Sequence, residues 1–219
     1  MVFVGPKEPD FDHPNLKFYK SNVKPAQCCE AARRRCTGDI ISWTADDAEY
    51  PEGILDDIAK ILESSHKKTL VASSTIENGH LCPWDSFTLF DTPNSPVMAP
   101  FGFMYAEFAN QLGGFDRRYV GGQYENDFLV RLYGAGGKVL GYTDKPIVVD
   151  HFNKHTDHHS NFSNFYKHGR EVLENTWRVG GYCQNMSNAE LLKEPSSQFQ
   201  PFTDYRILEV TQGPQGLWT

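Results

Sequence analysis

The sequence contains no long apolar run and no excess of positive charge, and each absence excludes a class of protein. No stretch approaches the roughly 18 consecutive apolar residues that a membrane-spanning helix requires, so no integral membrane segment is expected. The 219 residues include 28 Asp and Glu but 21 Lys and Arg, which gives a formal net charge of −7. Because nucleic acids attract concentrated positive charge, they are not expected as partners of this protein.

The sequence also lacks paired cysteine motifs and a secretory signal. Its five cysteines are odd in number and include no Cys-x-x-Cys pair, so neither a disulfide framework nor a zinc site of thiolates is predicted. We expect reduced thiols, most of them buried. The opening segment MVFVGPKEPDFDHP does not have the charged and then apolar order of a signal peptide, which favours a cytoplasmic protein.

What the sequence does contain is an alternation of short apolar strands and amphipathic helices. The predicted strands cover residues 2–5, 16–19, 39–44, 70–73, 138–142 and 146–149. The predicted helices cover residues 25–35, 54–62, 105–112, 125–133 and 164–178. Such alternation is typical of an α/β fold, in which helices flank a largely parallel central sheet. Residues 74–101 contain no long periodic run, so we expect them to be irregular.

The length and the apolar content suit one domain with an appendage. Hydrophobic residues occupy 39% of the 219 positions, which is enough for a single core. From residue 180 onward the chain becomes polar and is interrupted by prolines. We therefore assign residues 1–179 to the α/β domain. Residues 180–219 are interpreted as a C-terminal extension that packs on the domain or mediates assembly, for example into a homo-oligomer.

Two adjacent carboxylates, Asp46 and Asp47, follow the predicted strand at residues 39–44. Open α/β sheets bind ligands at the carboxyl ends of their strands, which is where these side chains are expected. Carboxylate oxygens suit Mg²⁺ or Mn²⁺, and a cation held there could bind the phosphates of a substrate. The alternative is a solvated turn, or the N-cap of the helix that starts after Pro51.

A second acidic group follows two glycines in the segment GGQYEND, residues 121–127. Its carboxylates, Glu125 and Asp127, fall in the first turn of a predicted helix, where the positive end of the helix dipole favours their ionised form. An ionised carboxylate in a cleft can accept the proton of a substrate hydroxyl as a general base. Acidic residues that only decorate a helix start are at least as common.

Histidines follow the last predicted strand. Asp150 and His151 come directly after the apolar residues 146–149, and imidazole is a common metal ligand, although a lone histidine at a strand end is more often structural. His155, His158 and His159 have no regular ligand spacing. For these three we favour a solvated or mobile loop over a separate zinc site.

These segments, in their order along the chain, resemble the family 2 glycosyltransferases of the GT-A fold. The resemblance extends from about Val2 to about His151 and is most specific in GGFDRRYVGGQYENDFLVRLYGAGGKV. It implies a GT-A-like, Rossmann-like fold of the nucleotide-diphospho-sugar transferase type. It also places residues 2–5 at the family's second strand, so the usual first strand and helix, which hold the nucleotide base, are not expected in this chain.

The resemblance implies a donor-binding site and a metal site. The stretch Ala45-Asp46-Asp47 matches the family's DxD-type motif, so Asp46 is the expected direct metal ligand and Asp47 lies close by. Thr44 stands where the motif has its first Asp, a position that contacts the nucleotide ribose or the metal. Asp150-His151 stands where some relatives have a third metal ligand, which makes His151 a candidate. One arginine of the 33–35 run, with Arg34 as the candidate, could add positive charge beside the diphosphate.

The resemblance also implies the base and the reaction. Glu125 stands at the family's catalytic carboxylate, with Asp127 one step further in the motif. The expected reaction is the transfer of a sugar, with inversion, from a UDP- or GDP-linked donor to a carbohydrate acceptor, with Mn²⁺ or Mg²⁺ as cofactor. Elementary chemistry agrees, because a diphosphate leaves readily only when a cation neutralises its charge. The acceptor hydroxyl, in turn, becomes nucleophilic as a base removes its proton.

Two other functions stay open on the sequence. A GT-A-like domain without the usual first strand could have lost donor binding and could bind a carbohydrate or a partner protein without catalysis. A metal-dependent hydrolase that uses the histidines between residues 151 and 159 is the third hypothesis and the least favoured.

Overall fold

The computed structural model describes residues 1–23, 25–45, 47–89, 95–150 and 158–177, and within residues 158–165 it describes the backbone alone. Two predicted metal ligands, Asp46 and His151, lie outside the described residues, as do His155 and the predicted C-terminal extension at 180–219. None of the described helices is long and apolar enough to cross a membrane.

The described residues alternate between strands and helices, as predicted. The helices are α1 (Pro25–Arg35), α2 (Ile54–Glu63), α3 (Ala106–Gln111), α4 (Tyr124–Gly134) and α5 (His158–Trp177). The strands are β1 (Val2–Gly5), β2 (Lys17–Lys20), β3 (Ile40–Ser42), β4 (Ala48–Glu49), β5 (Thr69–Glu77), β6 (His80–Cys82), β7 (Gly102–Tyr105) and β8 (Lys138–Val149).

In the described residues the central sheet has six strands, five in the order β3-β7-β5-β8-β4 and a sixth, β6, that pairs with β5. β5 and β8 are parallel from the pair Thr69 and Lys138 to the pair Glu77 and Val149. The other described ladders of this sheet are antiparallel. The α/β class is confirmed, but the sheet is mixed and not largely parallel. The reason is that β4, β6 and β7 are reached through turns or irregular segments without a crossover helix.

The core has one apolar layer on each face of the central sheet. Successive residues of β5 point to opposite faces, so Leu70 and Ala72 belong to one layer and Val71 to the other. Helix α2 covers the Val71 face with a buried stripe of aliphatic side chains at helical spacing. Helices α3, α4 and α5 cover the Leu70 face. The candidate site lies at one end of the layer on the Leu70 face.

Strand β1 lies outside the central sheet. It pairs in parallel with β2 in a separate two-stranded sheet, and Phe3 stacks on Phe18 with ring centroids 5.9 Å apart. Val4 packs with Ala31 of α1 in a small cluster of its own. The predicted strand at residues 2–5 is therefore confirmed, but it is not a strand of the central sheet, in contrast to the position that the resemblance implies for it.

Two predicted boundaries are corrected. Residues 138–149 form one strand, β8, where two were predicted, because β8 pairs with β5 on both sides of an irregularity. Ser73 lies opposite Tyr142 and Thr75 opposite Ile147, so the extra residues of the irregularity belong to β8. Helix α5 begins at His158, so His158 and His159 lie in a helix and not in a loop. The cysteines whose side chains are described, at positions 28, 29, 36 and 82, are free thiols and partly buried.

Candidate active site

The carboxyl ends of β3, β5 and β8 meet at one edge of the sheet. β3 and β5 are both antiparallel to β7, and β8 is parallel to β5, so the three strands run in the same direction. The residues that follow their ends, 44–45, 47, 78 and 150, are called the carboxyl edge below. The Asp150 N–H donates to the Asp47 carbonyl at 3.2 Å, and the Asn78 N–H donates to the Val149 carbonyl at 3.2 Å. These hydrogen bonds join the turn that contains Asp47, called the acidic turn below, to the end of β8, the strand that precedes His151.

The described part of the predicted donor and metal site is acidic. Asp47 is partly buried, whereas Thr44 is exposed and its hydroxyl donates to the Ala45 carbonyl at 3.2 Å. Thr44 also shares a hydrogen bond with the Tyr50 hydroxyl, and burial raises the pKa of Tyr50. Among the described residues no group of three metal-ligating side chains is found. The two other predicted ligands, Asp46 and His151, lie outside them.

Trp43 fixes the position from which the acidic turn departs. Its indole lies against β7, where a Cβ added to Gly102 would lie 2.6 Å from the ring. It makes edge-on contacts with Phe115 and Phe128, with ring centroids 5.7 and 5.6 Å apart. Phe115 in turn contacts Tyr124 edge-on at 5.0 Å. This aromatic cluster (Trp43, Phe115, Tyr124 and Phe128) connects the end of β3 to the first turn of α4.

Glu125 lies in that first turn, directly after Tyr124. The turn that precedes the helix ends at Gln123, whose φ of 69° is a left-handed conformation. The Glu125 side chain is partly exposed, and burial of its carboxyl raises the pKa to about 7. The Tyr124 hydroxyl hydrogen-bonds this carboxyl and acts in the opposite direction. A carboxyl that ionises near neutral pH is suited to take a proton from a substrate hydroxyl.

Tyr124 and Cys29 are neighbours of the predicted base Glu125 that the sequence did not reveal. The Cys29 thiol of α1 lies 3.5 Å from the Tyr124 hydroxyl, which itself bonds Glu125. Burial raises the pKa of Cys29 to about 12, so this thiol stays protonated at neutral pH. The contact between α1 and α4 spans almost a hundred positions in sequence, and no local pattern predicts it.

Asp127 is placed differently from Glu125. It is fully buried, with 0% of its surface exposed, and Arg131 donates to its Oδ2 at 2.7 Å. The Trp177 indole N–H donates to its Oδ1 at 2.9 Å. Both carboxylate oxygens are therefore engaged inside the protein. These contacts favour a role in holding α4 against α5 over direct contact with a substrate.

Arg34 is also engaged in the interior. Its Nε donates to Glu30 at 2.6 Å, and Glu30 is fully buried on α1. Arg33 and the Phe115 N–H donate to the same carboxylate, the latter at 2.9 Å. A Cβ on Gly114, whose φ is +73°, would lie 2.5 Å from this group. Glu30 and its three donors are called the Glu30 cluster below. The cluster holds the Gly-Gly-Phe-Asp turn, residues 113–116, on α1, which favours a structural role for Arg34.

Comparison with known proteins adds information at the level of the fold. Neither a protein-family model nor a curated protein matches the sequence. The solved structure of TarS 1-349 from S. aureus in complex with UDP-GlcNAc matches with a TM-score of 0.56 at 14% identity, over 82% of this chain and 54% of that one. A second S. aureus TarS structure matches with a TM-score of 0.53 at 15% identity, over 81% of this chain and 31% of that one. GalNAc-T7 with UDP, GalNAc and Mn²⁺ gives a TM-score of 0.48 at 11% identity, over 81% and 42%.

The TarS matches establish the fold of this chain. It has the GT-A-type glycosyltransferase fold, as predicted, with helices that flank a mixed and not a largely parallel sheet. The chain spans only about a third to a half of the length of these solved structures.

Proposed function

We propose that the chain is a metal-dependent glycosyltransferase that moves a sugar, with inversion, from a nucleotide-diphosphate sugar to an acceptor hydroxyl. The observation that carries the proposal is Glu125, a carboxyl with a pKa raised to about 7. It lies on a helix start that the aromatic cluster connects to the acidic end of β3. The fold supports the proposal, since a TarS structure of the same fold contains UDP-GlcNAc.

The residues at the carboxyl edge fit a hard divalent cation. Asp47 and Asp150 are brought together by the backbone hydrogen bond between them, and both offer carboxylate oxygens. Such oxygens suit Mn²⁺ or Mg²⁺. Asp46 and His151, each adjacent in sequence to one of this pair, would complete the ligand set, with Asp46 as the principal ligand. When bound, the cation would neutralise the charge of the leaving diphosphate.

Glu125 would act on the acceptor. Its deprotonated carboxylate accepts the proton of the attacking hydroxyl while the sugar–phosphate bond breaks on the opposite face of the sugar, which inverts the configuration at that carbon. Tyr124 would hold the carboxylate through its hydrogen bond. Asp127 would contribute indirectly, by keeping α4 in place through Arg131 and Trp177.

The donor would be UDP- or GDP-linked, with UDP favoured by the UDP-GlcNAc in the TarS structure. The acceptor would be a carbohydrate. Aromatic residues recur from Trp84 to Phe103. In the described part of this stretch Trp84 covers Gly141 of β8, and Phe101 and Phe103 are buried, which favours packing over an acceptor surface.

The test is an assay for release of nucleoside diphosphate from a panel of UDP- and GDP-sugars, with Mn²⁺ and hydroxyl-bearing sugar acceptors. Transfer by the wild type and a loss of about 10² to 10⁴-fold in kcat in Glu125→Gln are expected, since a general base contributes about that much. Glu63→Gln, at an exposed position of α2, is the matched control and should keep full activity.

Two results would overturn the proposal. Binding of UDP and Mn²⁺ without transfer to any acceptor would favour the non-catalytic domain instead. Absence of both binding and transfer would remove the nucleotide-sugar hypothesis altogether.

A further inference from the structure

Helix α5 packs closely on the turn that leads into α4, called the base turn below (residues 121–123). A Cβ added to Gly169 of α5 would lie 2.3 Å from the Gly122 carbonyl oxygen. A Cβ added to Gly122 would lie 2.7 Å from the Tyr166 ring. No real Cβ approaches backbone so closely, so Gly169 must be glycine for the observed packing, whereas at Gly122 the exposed Tyr166 ring could shift. The backbones of α5 and of the base turn are therefore in direct contact at Gly122, three residues before Glu125.

Polar contacts fix α5 on either side of this contact. His168 Nε2 lies 3.1 Å from the Arg118 carbonyl oxygen, before the base turn. Two turns further along α5, the Trp177 indole N–H donates to Asp127 at 2.9 Å, after the base turn. Trp177 and Leu173 are 5% and 2% exposed, so this face of α5 is part of the core. The helix therefore holds the segment that carries Glu125 from both ends.

The conformation of the base turn needs such support. Gln123 has a φ of 69°, a left-handed value that is uncommon for a residue other than glycine. It is also 95% buried, being 5% exposed, and its side-chain oxygen has no hydrogen-bond partner among the described residues. A conformation of this kind persists only where the surrounding structure over-determines it. Helix α5 is part of this surrounding structure, since a Cβ on Gly169 would also lie 3.4 Å from the Gln123 Cβ.

We propose that Gly169 and Trp177 are positioning residues for the proposed reaction. They hold the base turn against α5 and thereby set the direction in which Glu125 enters the site. The inference rests on the proposed function, because it assigns these residues to the placement of the proposed base. It adds α5, which carries no residue of the predicted transferase site, to the elements that determine catalysis.

A purely structural role of α5 predicts a different result from a positioning role. Alanine forms helices better than glycine, so Gly169→Ala does not weaken α5 itself. It moves the helix away from the base turn, or the base turn away from the helix, by the space that one methyl group needs. A misplacement of about 1 Å can cost on the order of 10²-fold in rate, because reacting groups must meet in a narrow range of geometries. Trp177→Phe removes the indole donor to Asp127 and keeps an aromatic ring in the core, although a smaller one, so the melting temperature is measured beside kcat.

The experiment compares Gly169→Ala, Trp177→Phe and a control, Asn175→Ala on the exposed face of α5, in the full chain. The measured quantities are kcat, the donor KM, the melting temperature and the ionisation of Glu125 followed by carboxyl ¹³C NMR, with Glu125→Gln to assign the signal. We expect kcat to fall about tenfold or more in both α5 variants while the donor KM changes less than about twofold. The control should match the wild type.

The outcomes separate this inference from the proposed function. Wild-type turnover with unchanged kcat in both variants would overturn the inference and leave the function intact. A loss of kcat that only accompanies a large fall in melting temperature, with the Glu125 titration unchanged, would also overturn it. If the wild type shows no transfer, the proposed function fails, and the Glu125 titration alone decides: a shifted titration in Gly169→Ala supports positioning by α5, and an unchanged one refutes it.

Discussion

Carboxyl groups of this protein have different pKa values because they stand in different surroundings. Burial raises the pKa of Glu125 to about 7, with the Tyr124 hydroxyl opposing that effect. In Asp57, on the surface of α2, hydrogen bonds from Lys145 and Tyr142 lower the pKa instead. The first environment produces a group that exchanges its proton near neutral pH, and the second a carboxylate that stays ionised. At the residue scale, this difference is what distinguishes the proposed base from an ordinary surface acid.

The pH dependence of transfer tests this difference. A general base works in its deprotonated form, so kcat should rise with pH through about 7 and level off above it. Tyr124→Phe removes the hydroxyl that stabilises the ionised carboxylate. Cys29 of α1, the other titratable group beside this pair, stays neutral at these pH values because burial raises its pKa to about 12. The midpoint of the rate profile should therefore move to higher pH in Tyr124→Phe.

Tyr133→Phe is the matched control for this prediction. Tyr133 also lies on α4, but its hydroxyl donates to the Val97 carbonyl at 3.0 Å and not to Glu125. Its removal should leave the midpoint where it is. A profile of Tyr124→Phe that coincides with that of the wild type, or that moves to lower pH, would show that Tyr124 does not stabilise the ionised base.

At the scale of elements, the buried Glu30 carboxylate joins α1 to the Gly-Gly-Phe-Asp turn. It accepts hydrogen bonds from Arg33, Arg34 and the Phe115 N–H. Because loss of one partner leaves buried charges without compensation, Glu30→Gln should lower the free energy of unfolding by about 3 kcal/mol or more. Chemical denaturation monitored by circular dichroism measures this quantity.

An exposed ion pair provides the control for Glu30. Lys60 lies 4.0 Å from Asp57 on α2 and its side chain is 76% exposed, so Lys60→Ala should cost less than about 1 kcal/mol. Equal, small effects of both substitutions would show that the Glu30 cluster does not hold the turn.

The helices could be predicted from sequence where local chemistry defines their ends. Helix α1 has the predicted bounds, with a proline at its first position and three arginines in its last turn, both of which suit those helix ends. Helix α2 was recognisable from the spacing of Ile54, Ile58 and Leu62. The start of α5 and the continuity of β8 depend on distant partners, and so the sequence did not reveal them.

For the candidate site, the sequence predicted where the acidic residues lie relative to the strands and helices but not how they pack. Glu125 lies where a helix start was predicted, and the acidic turn does follow a strand of the central sheet. The sequence could not separate Glu125 from Asp127, since both belong to one acidic segment and only packing buries Asp127 against Arg131 and Trp177. Arg34 was ambiguous because only the fold buries its partner Glu30, four positions earlier on α1, and adds the Phe115 N–H to the same carboxylate.

At the scale of the whole molecule, the fold matches solved structures although sequence identity is low. The TarS structure with UDP-GlcNAc is 14% identical to this chain and still matches 82% of it. In this chain β3, β5 and β8 end at one edge of the sheet, and the aromatic cluster connects the end of β3 to the start of α4. The direction of β4, β6 and β7 was not visible in the sequence, because antiparallel pairing depends on connections and partners and not on strand composition.

A crystal structure of the protein soaked with UDP and Mn²⁺ tests the central claim most directly. The expected result is an anomalous manganese peak at the carboxyl edge, at the roughly 2.0–2.6 Å that hard divalent cations keep from oxygen ligands such as those of Asp46 and Asp47. The diphosphate should lie on this ion, with the Glu125 carboxylate facing the same cavity. Manganese and UDP bound elsewhere, or a Glu125 that opens into a separate cavity, would contradict a shared site for donor and base.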